Sequence, residues 1–265
     1  MMDIGKLFSL EGRVALVTGG SRGIGKMIVE GFLAAGCAKV YITARKVDEI
    51  NATIEEFGDK VIGLPGDLSN LEGIQRLADQ IAEREDRLDI LVNNAGAAWG
   101  QPFDEFSEAG WDRTMDLNVK TPFFLTQKLH GLLKAAASAD RPAKVINISS
   151  IDGQRINPWP TYPYQASKAA VIQLTRRLAA ELVPENIIVT SIAPGAFPSA
   201  MNRAARDHED AAAAGIPARR VGNAEDMAAG AVYLASRAGD YVIGDTLTID
   251  GGVVNALLPS HFAQP

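Results

Sequence analysis

Tyr164 and Lys168 stand four residues apart in Tyr164-Gln165-Ala166-Ser167-Lys168, and Ser150 lies fourteen positions upstream of the tyrosine. On a helix, positions i and i+4 share a face, so a phenol and an ammonium at this spacing can enter one site. A cation beside a phenol favours the phenolate and lowers the tyrosine pKa from its ordinary value near ~10. A phenol tuned in that way can exchange a proton with a carbonyl or alcohol oxygen. Ser150 offers a hydroxyl to the same oxygen, where it helps most as negative charge develops. Tyr162 has Ala166 four residues on and lacks the cationic partner, and Ser149 belongs earlier in its strand pattern. By itself Tyr-x-x-x-Lys occurs on many surface helices, so this chemistry requires a cofactor site in the same chain.

A second segment supplies one. Val14-Ala15-Leu16-Val17-Thr18 runs into Gly19-Gly20-Ser21-Arg22-Gly23-Ile24-Gly25, and a helical pattern follows. A strand, a glycine-rich turn and a helix N-terminus together hold a pyrophosphate, because the helix start offers unpaired N–H groups and a positive dipole end. Glycines let the backbone turn tightly and come close to the ligand. The spacing is G-x-x-x-G-x-G and lacks the lysine of a nucleotide-triphosphate loop. We take Gly19, Ser21, Arg22, Gly23, Ile24 and Gly25 as cofactor-binding candidates. A site that prefers NAD usually presents an acid to the adenosine ribose about twenty residues further on. Here the second strand ends Thr43-Ala44-Arg45-Lys46, with no acid at the strand end. The planar forks of Arg45 and Arg22 suit a 2′-phosphate instead. The expectation is NADP(H).

These residues need a frame. Short β-rich apolar runs at Val14–Thr18, Val40–Thr43, Val61–Leu64, Ile90–Val92, Val145–Ile148, Val189–Ile192 and Thr246–Ile249 alternate with amphipathic stretches. One stretch carries Ile28, Val29, Phe32 and Leu33, another Ile74, Leu77, Ala78 and Ile81. Strands that are apolar on both faces and alternate with helices predict a parallel sheet covered on both sides. Right-handed crossovers then give a doubly wound, Rossmann-type α/β fold of about seven strands. The alternation persists from end to end, so one domain is expected over 1–265. The segment 198–217 interrupts it and is read as a substrate lid. The last residues, 253–265, form an apolar tail with Leu257, Leu258 and Phe262.

The chain has 265 residues, 47% of them hydrophobic and 22% charged, as expected of a globular protein. Its net charge of −6 gives no support to a nucleic-acid role. Cys37 is the sole cysteine, which suits a reducing compartment, and no run approaches the ~20 apolar residues that would cross a bilayer. The N-terminus has no secretory apolar stretch, so a cytoplasmic protein without a membrane partner is expected. His130, His208 and His261 are scattered, so no metal site is expected. Ser150 lacks the G-x-S-x-G elbow of a serine hydrolase.

The chain resembles the short-chain dehydrogenase/reductase family from Val14 to Gly252. The resemblance rests on the glycine loop from Thr18 to Gly25, Asp67-Leu68, Asn93-Asn94-Ala95-Gly96 and Asn118 in Asp116-Leu117-Asn118-Val119. Ser150, Tyr164 and Lys168, then Pro194-Gly195 and Asp250-Gly251-Gly252, complete it in order. Within the family it is similar to NADPH-dependent 3-oxoacyl reductases, including those linked to rhamnolipid synthesis. The resemblance implies hydride transfer between a nicotinamide and a carbonyl or secondary alcohol. It implies that Tyr164 donates the proton, that Lys168 also binds the nicotinamide ribose, and that Asn118 holds a water linking Lys168 to solvent. It extends the cofactor-binding candidates to Asp67, Leu68, Asn94, Ala95, Gly96, Tyr164, Lys168, Pro194, Gly195, Phe197 and Ser199. The family often has threonine where Ser199 stands, and Ser199 keeps the hydroxyl.

Trp99, Ile156, Trp159, Phe197 and Met201 fall in loops expected around the site and suggest a carbonyl substrate with an apolar body, such as an acyl chain. Arg155 lies in the same loop as Ile156 and is a candidate for an anionic group. The amphipathic stretches Thr121–Leu133 and beyond Lys168 suggest a homo-oligomer, a tetramer or dimer. An alcohol or polyol dehydrogenase running oxidatively, and a catalytically silent NADP-binding scaffold, remain as alternatives.

Overall fold

A computed structural model describes residues 1–257, without the side chains at positions 203 and 204; Leu258 and Phe262 of the apolar tail lie outside the described residues. A short helix α1 (Ile4–Phe8) precedes β1 (Val14–Thr18), α2 (Gly23–Ala34), β2 (Lys39–Thr43), α3 (Val47–Phe57), β3 (Val61–Gly63), α4 (Leu71–Ala82) and β4 (Ile90–Asn93). Helix α5 (Glu108–Met115) runs through a π turn (Asp116–Lys120) into α6 (Thr121–Lys128) and α7 (His130–Ala136). Strand β5 (Ala143–Ile148), the long helix α8 (Tyr162–Leu182) and β6 (Ile187–Pro194) follow. Two short helices α9 (Arg203–Asp207) and α10 (Glu209–Ala214), then α11 (Ala224–Ala235) and β7 (Thr246–Ile249), complete the fold.

The seven strands are parallel and ordered β3-β2-β1-β4-β5-β6-β7. All seven apolar runs seen in the sequence are strands. Their ends shift where the backbone ladder, rather than side-chain polarity, sets the boundary, and β6 extends from Ile187 to Pro194 because its partners continue on both sides.

Each face of the sheet has its own core. Ala15 and Val17 of β1 join Ile28, Val29 and Phe32 of α2 and Met227 and Ala231 of α11 on one side. Val14 and Leu16 join Ile74, Leu77, Ala78 and Ile81 of α4 and Leu125 of α6 on the other. Alternation along a strand that is buried on both faces produces this two-layer arrangement. Helices α2 and α11 pack closely because a Cβ at Gly31 would stand 2.6 Å from the Ala228 Cβ.

The helix starts are capped by short polar side chains. Asn70 accepts from the Gly73 N–H at the head of α4, and Asn223 and Asp226 form a reciprocal capping box on α11. One polar pair lies inside the sheet. Asn93 Nδ2 donates to Asn147 Oδ1 at 2.8 Å, and Asn147 Nδ2 donates to Thr175 Oγ1 of α8 at 2.9 Å. Those two asparagines are direct register partners in β4 and β5.

Candidate active site

The order of strands reverses beside β1, where chain connections leave toward β2 on one side and β4 on the other. In open parallel sheets the crevice at the carboxyl ends of such strands holds the ligand. A cavity of about 760 Å³ lies there.

The loop after β1 forms its floor. Gly19 has φ +65, a conformation that L side chains rarely adopt. A Cβ at Gly25 would overlap the Gly19 carbonyl and the Asn94 amide. Asn94 Nδ2 donates to the carbonyl oxygens of Thr18 at 2.8 Å and Gly19 at 3.2 Å, and the N–H groups of Asn94 and Ala95 donate to Thr18 Oγ1. The Asn-Asn-Ala-Gly segment thus fastens the end of β4 to the glycine loop. Among the described residues, Ser21 Oγ and Thr43 Oγ1 are buried without a hydrogen-bond partner, and both residues line the cavity.

Arg22, Arg45 and Lys46 bring three cations to the same end. Arg45 is exposed and has no ion-pair partner among the described residues. Arg22 and Lys46 share one acid: Glu49 Oε1 accepts from Arg22 at 3.2 Å and from Lys46 at 2.9 Å. The bond from Lys46 and the nearby Arg22 hold the Glu49 carboxyl below its ordinary range against the effect of its burial. The sequence reading overlooked Glu49 and Lys46. The acid lies in the first turn of α3, past the strand end, so a search confined to the strand end passes it by.

At the opposite end of the cavity β5 stops and α8 begins. Ser150, Tyr164 and Lys168 all line it there. Ser149 Oγ donates to the Lys168 carbonyl at 2.7 Å and pins α8 to the strand end, so the neighbouring serine has a structural task. Tyr162 is 40% exposed outside the cavity, edge-on to Phe103 and Phe106. Ser150 Oγ accepts from the Asp152 N–H at 3.1 Å.

The electrostatics depart from the sequence expectation in one respect. Lys168 does not lower the Tyr164 pKa here. Its Nζ donates to the Ile148 carbonyl at 2.8 Å and lies 5.6 Å from the Tyr164 ring centroid. Burial pushes the Tyr164 phenol up to about 12, with a hydrogen bond to Ser150 pulling it down and the charge of Asp152 adding to the rise. Burial also brings Lys168 down to about 8. Lys168 is buried and Tyr164 half-buried, and desolvation is the largest cause of both shifts.

Asn118 sits in the π turn and is 2% exposed, outside the cavity lining. Its Nδ2 donates to the Ala97 carbonyl and to Ser167 Oγ, both at 2.9 Å, and its Oδ1 accepts from the Ala97 N–H at 2.8 Å. These bonds tie the loop after β4 to α8 next to Lys168. They use both side-chain donors, so the Asn118 amide cannot also hold a water by donation.

Asp67, Leu68, Gly96, Pro194, Gly195, Phe197 and Ser199 line the same cavity, as do Gly23 and Ile24. Ser199 accepts from the Asn202 N–H, and its Cβ faces Gly23 across the mouth. Of the apolar loop residues, Trp159, Phe197 and Met201 line the cavity. Trp99 and Ile156 do not: Trp99 packs on Gly110 and Arg113 of α5, and Ile156 is 89% exposed.

Comparison with known proteins gives the same picture. Residues 13–210 match the short chain dehydrogenase family model. The chain is 49% identical over 251 residues to the rhamnolipids biosynthesis 3-oxoacyl-[acyl-carrier-protein] reductase of Pseudomonas aeruginosa, covering 92% of this chain and 97% of that one. It is 38% identical over 252 residues to the 2-dehydro-3-deoxy-D-gluconate 5-dehydrogenase of Escherichia coli, covering 92% and 96%. The solved Pseudomonas aeruginosa RhlG/NADP active-site complex superposes with a TM-score of 0.90 at 46% identity, covering 94% of this chain and 99% of that chain. The doubly wound sheet, the glycine loop at its switch point and these similarities along nearly the whole length make the chain a member of the short-chain dehydrogenase/reductase family.

Proposed function

We propose that the protein reduces a ketone with NADPH and that its substrate class is a 3-oxoacyl thioester. The observation that carries this reading is the placing of Ser150, Tyr164 and Lys168 at one end of a cavity whose other end presents Arg22, Arg45 and Lys46. The likeness to a 3-oxoacyl reductase and to a structure holding NADP supports it.

The residues present fit the cofactor. Ser21 Oγ and Thr43 Oγ1 are buried polar atoms without a partner among the described residues, and Gly25 leaves a cradle that a Cβ would fill. The glycine loop and the head of α2 would hold the pyrophosphate. Arg22, Arg45 and Lys46 would hold a 2′-phosphate. Asp67 and Leu68 lie where the adenine is expected, and Asn94, Ala95, Gly96, Pro194, Gly195, Phe197 and Ser199 surround the inner part of the site.

Bound NADPH supplies the hydride to the ketone carbon. The chain's own residues handle the oxygen. Ser150 and Tyr164 hold the carbonyl, and Tyr164 delivers the proton as negative charge builds on that oxygen. A phenol with a pKa near 12 is fully protonated at neutral pH and is a donor in this direction. Lys168 places a positive charge beside the phenolate that forms. Asn118 is a positioning residue, because it holds the loop and the helix that flank Lys168.

The segment 198–217 acts as a substrate lid: Ser199, Ala200, Met201 and Asn202 of its first half, and Ala212, Gly215 and Ile216 of its second, line the cavity. We also assign the protein to the cytoplasm on its single cysteine, buried Cys37, and to a homotetramer or dimer through α5, α6 and α8. Trp111 and Phe123 are large apolar side chains exposed on α5 and α6, as a subunit contact requires.

The test is the oxidation of NADPH in the presence of 3-oxoacyl thioesters, followed by absorbance. Turnover by the native protein and its loss in Tyr164→Phe are expected. Unchanged turnover in that variant would reject the proton donor.

A further inference from the structure

The loop between β5 and α8 carries a cation that the reaction just described does not use. Arg155 lines the cavity. Its Nε is buried and has no hydrogen-bond partner among the described residues, while the side chain as a whole is 37% exposed. Arg155 Nη2 forms a loose ion pair with Asp152 Oδ1 at 3.9 Å, too long for a hydrogen bond. Thr161, at the far end of the same loop, also lines the cavity and has a buried Oγ1 without a partner among the described residues.

The backbone that presents these two groups is fixed. Arg155 N–H donates to the Ile151 carbonyl at 2.9 Å. Asn157 Oδ1 accepts from the Trp159 N–H at 2.8 Å and from Gln165 Nε2 at 3.2 Å, which closes the loop onto α8. The Arg155 Nε and the Thr161 hydroxyl are buried atoms of this wall, and polar atoms left incomplete there favour a ligand that satisfies them.

We infer that Arg155, with Thr161 lining the same cavity, is a substrate subsite for an anion, and that the ketone reduced here carries a carboxylate or a phosphate apart from its reacting carbonyl. This rests on the ketone-reductase reading above. The apolar wall of Trp159 and Met201 then takes the carbon chain, and the planar fork of Arg155 takes the charged oxygens. The anion has two chemical sources: the carboxylate of a free oxo acid, or the phosphate of a thioester carrier arm.

Steady-state kinetics on three ketones of matched chain length test the subsite. The probes are a 5-oxoalkanoate, a 3-oxoacyl coenzyme A and the neutral 3-oxoacyl N-acetylcysteamine thioester. Arg155→Met should raise KM for whichever anionic probe the native enzyme uses by on the order of tenfold or more. It should leave kcat within about threefold, because the lost contact is made equally in ground and transition states. KM for the neutral thioester should not move, and Arg155→Lys should recover part of the loss. The probe that responds identifies the source of the anion. An equal rise for the neutral thioester, or no rise for either anionic probe, overturns the subsite while leaving the reductase intact. Failure of the native enzyme to reduce all three ketones overturns the reductase reading and the subsite with it. NADPH binding, followed by fluorescence, should be the same in both variants, and its loss would show a general disturbance of the cavity instead of a subsite.

Discussion

Lys168 Nζ donates to the Ile148 carbonyl oxygen at 2.8 Å, so the cation at the heart of the site is anchored to the last residue of β5. The bond fixes its position but does not replace the water it has lost, and burial brings its pKa to about 8. A group with that value loses its charge between neutral and mildly alkaline pH.

The first prediction concerns pH. Below about 8 Lys168 is charged and offsets the negative charge left on Tyr164 after proton donation. Ketone reduction should accordingly fall as pH rises through about 8. Lys168→Arg, whatever its residual rate, should lose that inflection, because a guanidinium stays charged. A log kcat/KM profile with no break near 8 in the native enzyme would contradict the assignment.

Stability should move in the opposite sense to activity. Unfolding returns Lys168 to a pKa near 10.5, whereas in the fold it titrates at about 8. Below the folded value both states are protonated, and the cost of burying the ammonium, about 3 kcal/mol from the size of this shift, is fully present. It is relieved as pH rises between those two values, where the unfolded state binds more protons. Lys168→Met should therefore raise Tm at neutral pH while abolishing turnover, and its advantage should shrink toward alkaline pH. Thermal unfolding of both proteins across that range measures the difference.

Glu49 accepts from both Arg22 and Lys46, so with the proposed 2′-phosphate site it would compete with the phosphate for these two cations. Arg45→Asp should weaken NADPH far more than NADH, since only NADPH carries the 2′-phosphate. Glu49→Gln frees Arg22 and Lys46 and removes a like charge, so NADPH should bind about three- to tenfold more tightly. NADH should change little. Titration of intrinsic fluorescence gives both constants, and weaker NADPH binding in Glu49→Gln would mean that the carboxylate organises the cations instead.

Asn118→Ala removes three hydrogen bonds and strands the Ala97 N–H and carbonyl. A loss of about 2–3 kcal/mol is expected for buried groups left unpaired. Asn118→Asp should not rescue it, because a carboxylate cannot donate to the Ala97 carbonyl and Ser167 at once. Denaturant unfolding gives the stability, and native-like stability in Asn118→Ala would reject the stitching role.

Much of this architecture was legible in the sequence, for a physical reason. Strands such as Val14–Thr18 are buried on both faces and read as unbroken apolar runs, and helices such as α4 repeat Ile74, Leu77, Ala78 and Ile81 at helical spacing. Tyr164 was separable from Tyr162 because the lysine partner is local. What escaped were relationships between distant segments. Glu49 meets Arg22 across 27 residues, and Asn118 meets Ser167 across 49. The π turn that seats Asn118 has no local signature. The sign of the Tyr164 shift also escaped, since desolvation depends on what the whole fold stacks around the ring.

The Asn93–Asn147 pair has a consequence for how reliably the protein assembles. Sliding β4 past β5 by one residue would turn the two amides to opposite faces of the sheet and leave the buried Asn147 Oδ1 without its Asn93 donor. The turn carrying Asn94 and Ala95 follows Asn93, and Ser149 and Ser150 follow Asn147 by two and three residues, so the register favoured by two buried amides also sets how the two strand ends line up at the cavity.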